Sequence, residues 1–242
     1  MELGDPLQQF KIRPLLEISI FGADVSFTNS AAFMVAAIVA VIVFTTASMR
    51  GRAMVPGRWQ SLAELSYEFI ADMVRENVGS EGRRYFPFIF TLFMFILLSN
   101  ALGMMPYGFT VTSHIIVTFA LAAFVFVGVT IIGFVKHKVR FFGFFLPQGV
   151  PWYIAPLLIP IEILSYLTRP VSLSLRLFAN MTAGHTMLKV FASFIAALGV
   201  FGVFPFALVV GLTGLEILIA FLQAYVFTIL TCVYLNDALN MH

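Results

Sequence analysis

From residue 157 to residue 239 the chain is apolar almost throughout, with one softer spot at 199–205. About 20 helical residues at 1.5 Å each cross a hydrocarbon core of about 30 Å, so two upright helices would leave much of this stretch unused. Its length predicts two long, tilted helices instead, spanning roughly 159–198 and 206–239. Within the first lies PVSLSLRLFANMTAGH, residues 170–185, which sets Arg176 in apolar surroundings together with Asn180 and His185. An arginine near the centre of a membrane helix costs about 2.5–3.5 kcal/mol on insertion scales unless it faces protein, water or a partner anion. Because the guanidinium stays charged at any biological pH, Arg176 is read as a functional residue.

Hydrophobic residues make up 60% of the sequence and charged residues 11%, against about 25% charged in an average soluble domain. The expected fold is therefore an all-α integral membrane protein. It has about five membrane-embedded helices, including the two long C-terminal ones, and one amphipathic helix at the interface. All of these belong to a single membrane domain over 1–242. A net charge of +2, with the basic residues gathered in two clusters, argues against a nucleic-acid-binding face. Cys232 is the sole cysteine, so neither a disulfide framework nor a His/Cys metal spacing is available, and packing is its expected role. The first residues carry acids where a signal peptide would carry positive charge, and the chain is expected to be uncleaved.

Residues 1–30 are of mixed polarity, and ISIFGADVSFT alternates briefly before Gly22 and Asp24 break the pattern, as in an interfacial hairpin on the outer side. Residues 31–49 run without a charge and form the first crossing. After Arg50, Arg52 and Arg58, residues 59–78 repeat Leu62, Leu65, Phe69, Ile70 and Met73 at helical spacing opposite Glu64, Glu68, Asp72 and Glu76. That pattern predicts a helix lying along the membrane surface. Residues 85–135 read as a hairpin of two crossings that turns at Pro106 and Gly108 and is closed by Lys136, His137, Lys138 and Arg140. Both basic clusters then fall on one side, the cytoplasmic one by the positive-inside rule, with the N-terminus outside and the C-terminus in the cytoplasm.

Glu162, Arg169 and Arg176 are seven residues apart on the first tilted helix, a spacing that drifts only about 20° per step and puts them on one stripe. Asn180 lies one turn beyond Arg176, whereas His185 is turned about half-way round and faces a different neighbour. On the last helix Glu216 and Gln223 are also seven apart, with Tyr234 near the same face. Antiparallel packing would set this second stripe beside the first and make His185 and Glu216 partners. Simpler roles stand beside these. Arg169 could snorkel to the interface or pair with Glu162, and Asn180 and Gln223 could be plain helix-to-helix hydrogen bonds. Histidine and glutamate can pass protons near neutral pH once their surroundings tune them, while arginine cannot release its own. Arg176 can instead hold a passing carboxylate ionised and raise a barrier to direct proton crossing. The last two helices offer no continuous ionisable line across a membrane, which assigns the mobile carboxylate to a partner subunit.

SLSLRLFANMTAGH followed by LEILIAFLQAYVFTILTCVYL closely resembles subunit a of the F-type ATP synthase, called subunit 6 in mitochondria, and the RLFxNMxAGH core is highly specific. The resemblance covers essentially the whole chain. It implies a stator subunit of the Fo sector, not catalytic on its own and without cofactor or metal. Its implied partners are a ring of c subunits with a mid-membrane carboxylate, b-type peripheral-stalk subunits, the rest of the complex and the lipid bilayer. Arg176 would occupy the essential arginine position facing the ring. Asn180, His185, Glu216 and Gln223 match positions of the outer half-channel and Glu162 one of the exit side, with Arg169 and Tyr234 secondary. Many bacterial relatives carry an acid at the position of His185 and a histidine at that of Glu216; the exchange here is the mitochondrial-like arrangement. Protons are the ion it implies, with sodium left open by the residues alone. The implied location is a bacterial plasma membrane or, alternatively, the mitochondrial inner membrane. A self-contained proton channel or secondary transporter is the competing reading, and it would call for a complete internal path and repeats. The phosphate-binding GxxxxGK[ST] pattern is absent, as are HExxH and GxSxG.

Overall fold

The computed structural model describes residues 12–17, 19–20, 23–24, 26–50, 55–105, 108–138, 141, 143 and 154–240. Near the N-terminus β1 (Pro14–Leu16) pairs antiparallel with β4 (Phe27–Thr28), and inside that pair β2 (Ser19–Ile20) meets β3 (Ala23–Asp24). The expected hairpin is thus a nested ribbon, although Gly22 lies outside the described residues. Everything that follows is helical.

Helix α1 (Asn29–Met49) starts at Thr28, whose Oγ1 accepts a hydrogen bond from the Ala31 amide at 3.3 Å and satisfies one of the free donors of the first turn. No charge interrupts it, and the hydroxyls of Thr45 and Thr46 donate back to the carbonyls of Val41 and Ile42 at 2.8 and 2.6 Å, so neither is left bare in apolar surroundings. Helix α2 (Arg58–Val78) buries Ile70, Met73, Val74 and Val78 while Glu64, Glu68, Asp72 and Glu76 stay exposed. Leu62, Leu65 and Phe69 are also exposed, so its apolar arc is wider than its contact with the rest of the chain, as suits a helix at an interface. Gly79, at φ +79°, makes the turn that ends α2 in a conformation side chains avoid, and a 3-10 helix over Ser80–Tyr85 leads onward.

Helix α3 (Phe86–Gly103) carries Pro87 in its first turn, where no amide donor is needed. After a 3-10 turn at Val111–Ser113, α4 (Ile115–His137) completes the expected hairpin. Helix α5 (Ala155–Leu198) is continuous over 44 residues despite Pro160 and Pro170, each of which removes one internal hydrogen bond. A 3-10 turn at Gly199–Gly202, opened by Gly199 at φ +55°, reverses the chain into α6 (Val203–Leu239).

Four helical stretches among the described residues are long and apolar enough to cross a membrane: Asn29–Met49, Ser80–Gly103, Ile115–His137 and Val203–Leu239. The expectation was about five with two long C-terminal ones; α6 is among these four and α5 is not. The core lies where α6 runs between α2, α3, α4 and α5, with Ile70, Ile89, Phe93, Ile96, Leu177 and Phe227 buried to 2% exposure or less. Cys232 is fully buried there. Large apolar side chains on the outer faces of α1, α4, α5 and α6 remain exposed, among them Ile42, Phe124, Leu164 and Ile217. A surface this apolar belongs in lipid or against a partner.

Candidate functional site

Helices α5 and α6 run antiparallel and in contact, and three polar pairs cross between them at successive heights. At one end Arg169 Nη1 donates to Asp237 Oδ2 at 3.0 Å. Further along, Asn180 Nδ2 donates to Gln223 Oε1 at 3.0 Å. Beyond that His185 Nδ1 faces Glu216 Oε1 in a close ion pair, with the two residues only 7% and 5% exposed. Of the stripe Glu162, Arg169 and Arg176 only Arg169 crosses to α6 among the described residues, and it meets Asp237; the contact expected between His185 and Glu216 is present.

A small residue makes that last contact possible. Gly184 sits so close to α6 that a Cβ there would lie 2.8 Å from Glu216 Oε1. On its other side the His185 ring is held by Nε2 and the Gly103 carbonyl at 2.9 Å. A carbonyl only accepts, so Nε2 carries a hydrogen and donates it to Gly103, which leaves Nδ1 turned toward the Glu216 carboxyl. The arrangement is a buried imidazole–carboxyl pair anchored to the end of α3.

Arg176 lies between the first two crossings and takes part in neither. It is exposed on the side of α5, and it makes no hydrogen bond or ion pair among the described residues. Glu162, half-buried on α5, likewise has no ion pair among the described residues, so the alternative of a Glu162–Arg169 pair gives way to Arg169–Asp237. Tyr234 is drawn into the same cluster, its ring centroid 4.9 Å from the Arg169 guanidinium carbon.

Three partners escaped the sequence reading. Asp237, in the last turn of α6, falls inside the expected helix over 206–239 but was not singled out there. Asn100 is fully buried, donating to the Ala220 carbonyl at 3.2 Å and accepting from Thr112 Oγ1 at 2.8 Å, which ties α3 and the following turn to α6. Its position in an otherwise apolar run was the signal available. Thr182 Oγ1 donates to the Ser113 carbonyl at 3.3 Å and binds α5 to that same turn. No group of three or more His, Cys, Asp or Glu that could hold a metal ion occurs among the described residues.

Residues 30–236 match the family described as ATP synthase A chain. The chain belongs to the ATP synthase subunit a family. It is 60% identical to ATP synthase subunit a of Rhodospirillum rubrum over 242 aligned residues, covering 99% of this chain and 100% of that one. Identity to ATP synthase subunit a of Paramagnetospirillum magneticum is 57% over 247 aligned residues, with 99% and 100% covered. The corresponding protein of Parvibaculum lavamentivorans is 57% identical, with 98% and 94% covered. Subunit a is a noncatalytic membrane subunit of the ATP synthase, and the relatives named are bacterial. The matched span contains Glu162, Arg169, Arg176, Asn180, His185, Glu216, Gln223 and Tyr234, while Asp237 lies one residue beyond it.

Proposed function

We propose that this subunit a chain forms the stationary side of two offset half-channels that meet at Arg176, where a carboxylate on a rotating ring of c subunits is unloaded and reloaded with protons. The observation that carries this reading is Arg176 itself, a guanidinium without a partner among the described residues, on the lateral face of a helix whose neighbours Arg169 and Asn180 are already paired. Placed in a membrane, that charge needs an anion from outside the chain. The outer half-channel leads past His185 and Glu216, a buried imidazole and carboxyl in contact, which is the kind of pair such a route requires. Gln223, with Nε2 buried and without a partner among the described residues, and Asn180 beside it continue the polar lining toward Arg176. Glu162 lines the exit side. A fixed positive charge between the two halves keeps protons from running straight through.

Helix α5 lies in the membrane as a tilted partner of α6, since α5 and α6 pack against each other along these crossings. Contact between His185 and Glu216 favours the mitochondrial-like exchange of the acid and the imidazole, and protons as the ion. The ion pair of Lys136 with Glu81 and the bond between His137 Nε2 and the Leu239 carbonyl gather the ends of α4 and α6 with the basic turn at Arg83 and Arg84. That end is the cytoplasmic one of a bacterial inner membrane, with the N-terminus outside. The b-type stalk subunits and the remaining ATP synthase subunits complete the assembly.

Membrane vesicles carrying Arg176→Ala or Arg176→Lys test the reading. Both variants should assemble with the ring yet lose proton-driven ATP synthesis, and Arg176→Ala should also leak protons passively. Lysine keeps the charge and changes the donor geometry, so it separates the two contributions. Synthesis that survives in both assembled variants would exclude Arg176 from coupling.

A further inference from the structure

Two arginines, not one, stand on the same stripe of α5. Arg169 and Arg176 are two turns apart, about 10.5 Å along the axis and about 20° in direction. A ring carboxylate drawn to the second would feel the first as well, and their surroundings in this chain are opposite. Arg176 is exposed and unpaired among the described residues. Arg169 is enclosed on three sides. Asp237 accepts from its Nη1 at 3.0 Å, and the rings of Tyr166 and Tyr234 lie with centroids 5.3 and 4.9 Å from its guanidinium carbon. Such distances give cation–π attraction on both sides. Tyr166 is fixed in turn by a 2.7 Å hydrogen bond between its hydroxyl and Thr130 Oγ1 on α4, and by packing on Phe126 at 4.8 Å. Arg169 and Asp237 side chains are 24% and 34% exposed, dry enough for the pairing to matter and wet enough for a free cation to survive there. Tyr234 lies within electrostatic range of both guanidinium groups.

We infer that Asp237, with Tyr166 and Tyr234, forms a silencing clamp that neutralises and immobilises Arg169, so that of the two stacked arginines only Arg176 acts on the ring carboxylate. Asp237 is a positioning residue in this scheme and carries no proton. The inference rests on the reading of Arg176 given above. Without the clamp, an added unit charge about 10.5 Å from the carboxylate would shift its binding by roughly tenfold at an effective dielectric constant of about 20. The carboxylate would dwell short of its release point, and turnover would slow without any new leak.

The test measures ATP-driven proton pumping, passive leak and ring co-purification in vesicles containing the whole complex. Asp237→Asn preserves shape and removes the neutralising charge; pumping should fall about tenfold with assembly and leak unchanged. Adding Arg169→Gln to that variant should restore pumping to within about twofold of wild type, because no second cation remains. A purely structural pair would not be rescued by losing its other half, and a proton-carrying Asp237 would leave the double variant inactive; either result overturns the clamp. So does an Asp237→Asn complex that pumps normally. Should Asp237→Asn not assemble, the swapped pair Arg169→Asp with Asp237→Arg takes its place. It restores the ion pair with the cation moved off the stripe, and it should pump within about threefold of wild type, an assembled but inactive swap refuting the inference. Arg176→Ala serves as the separate control, since coupled pumping in that variant would remove the ring-facing reading and leave the Asp237 results to stand on their own.

Discussion

Replacing Gly184 by alanine should uncouple stability from function. The added methyl would lie 2.8 Å from Glu216 Oε1, 3.3 Å from its Cδ and 3.5 Å from its Cγ. An unstrained carbon–oxygen contact is about 3.3 Å or more, so the carboxyl group must retreat by about 0.5 Å. It can do so, being the free end of a flexible side chain, and α5 itself has no reason to move. What is lost is the close contact between Glu216 and His185 Nδ1. A hydrogen bond to a charged group contributes about 1.5–3 kcal/mol, which bounds the loss at between about tenfold and a hundredfold in proton transfer at this pair. Helix stability moves the other way, since alanine replaces glycine within a helix with a gain of about 0.8–1 kcal/mol. Proton pumping normalised to assembled complex, together with the temperature of heat inactivation, reads both quantities. Gly211→Ala on α6 is the matched control, because a Cβ there meets nothing within 4 Å. Pumping by Gly184→Ala within twofold of Gly211→Ala would refute the argument that the glycine exists to admit the carboxylate.

Other expectations are smaller or purely structural. Asn100→Ala removes two buried hydrogen bonds between α3, the 3-10 turn and α6, and should lower stability by about 1–3 kcal/mol, seen as an earlier heat inactivation of the complex. Lys136→Ala breaks an exposed ion pair with Glu81 and should change the same measurement by less than about 1 kcal/mol. His114, just ahead of α4 and stacked on Phe109 at 5.0 Å, is held below the usual imidazole range by burial. Its unfolded form therefore takes up a proton more readily, so stability should decline as pH falls through about 6.5. His114→Gln should flatten that part of the profile, and an unchanged slope would remove His114 from the explanation.

Where the membrane helices lie was legible from composition and run length, because α1, α3 and α4 carry no charge along their apolar runs and their ends are marked by glycine, proline or basic residues. One of the heights at which α5 and α6 touch was also legible, since antiparallel packing of the two helices set His185 and Glu216 as partners. Arg169 was a different case. Its own stripe offered Glu162 as a partner, and only the register of the two helices reveals that Asp237, 68 residues away in sequence, reaches it first. Asn100 shows the same limit: its role depends on Thr112 and the Ala220 carbonyl, which come together only when the hairpin closes on α6. Local pattern specifies which side chains share a face. It cannot specify which of several acids lies within 3 Å of an arginine.

A stator is loaded sideways each time its rotor steps, and α5 with α6 meets that load as a beam rather than as a hinge. At 1.5 Å per residue the 44 residues of α5 form a rod about 66 Å long. It is joined to α6 by a turn so tight that a Cβ on Gly202 would strike the Ile195 carbonyl at 2.7 Å. Two rods fastened only at one end would slide past each other under tangential force. The pairs Arg169–Asp237, Asn180–Gln223 and His185–Glu216 act as cross-ties against that shear. Helix α4 braces α5 from behind, and α2 and α3 brace α6. A sideways load on α5 and α6 is thereby shared with the hairpin and α2 instead of being taken up at the single turn that joins them.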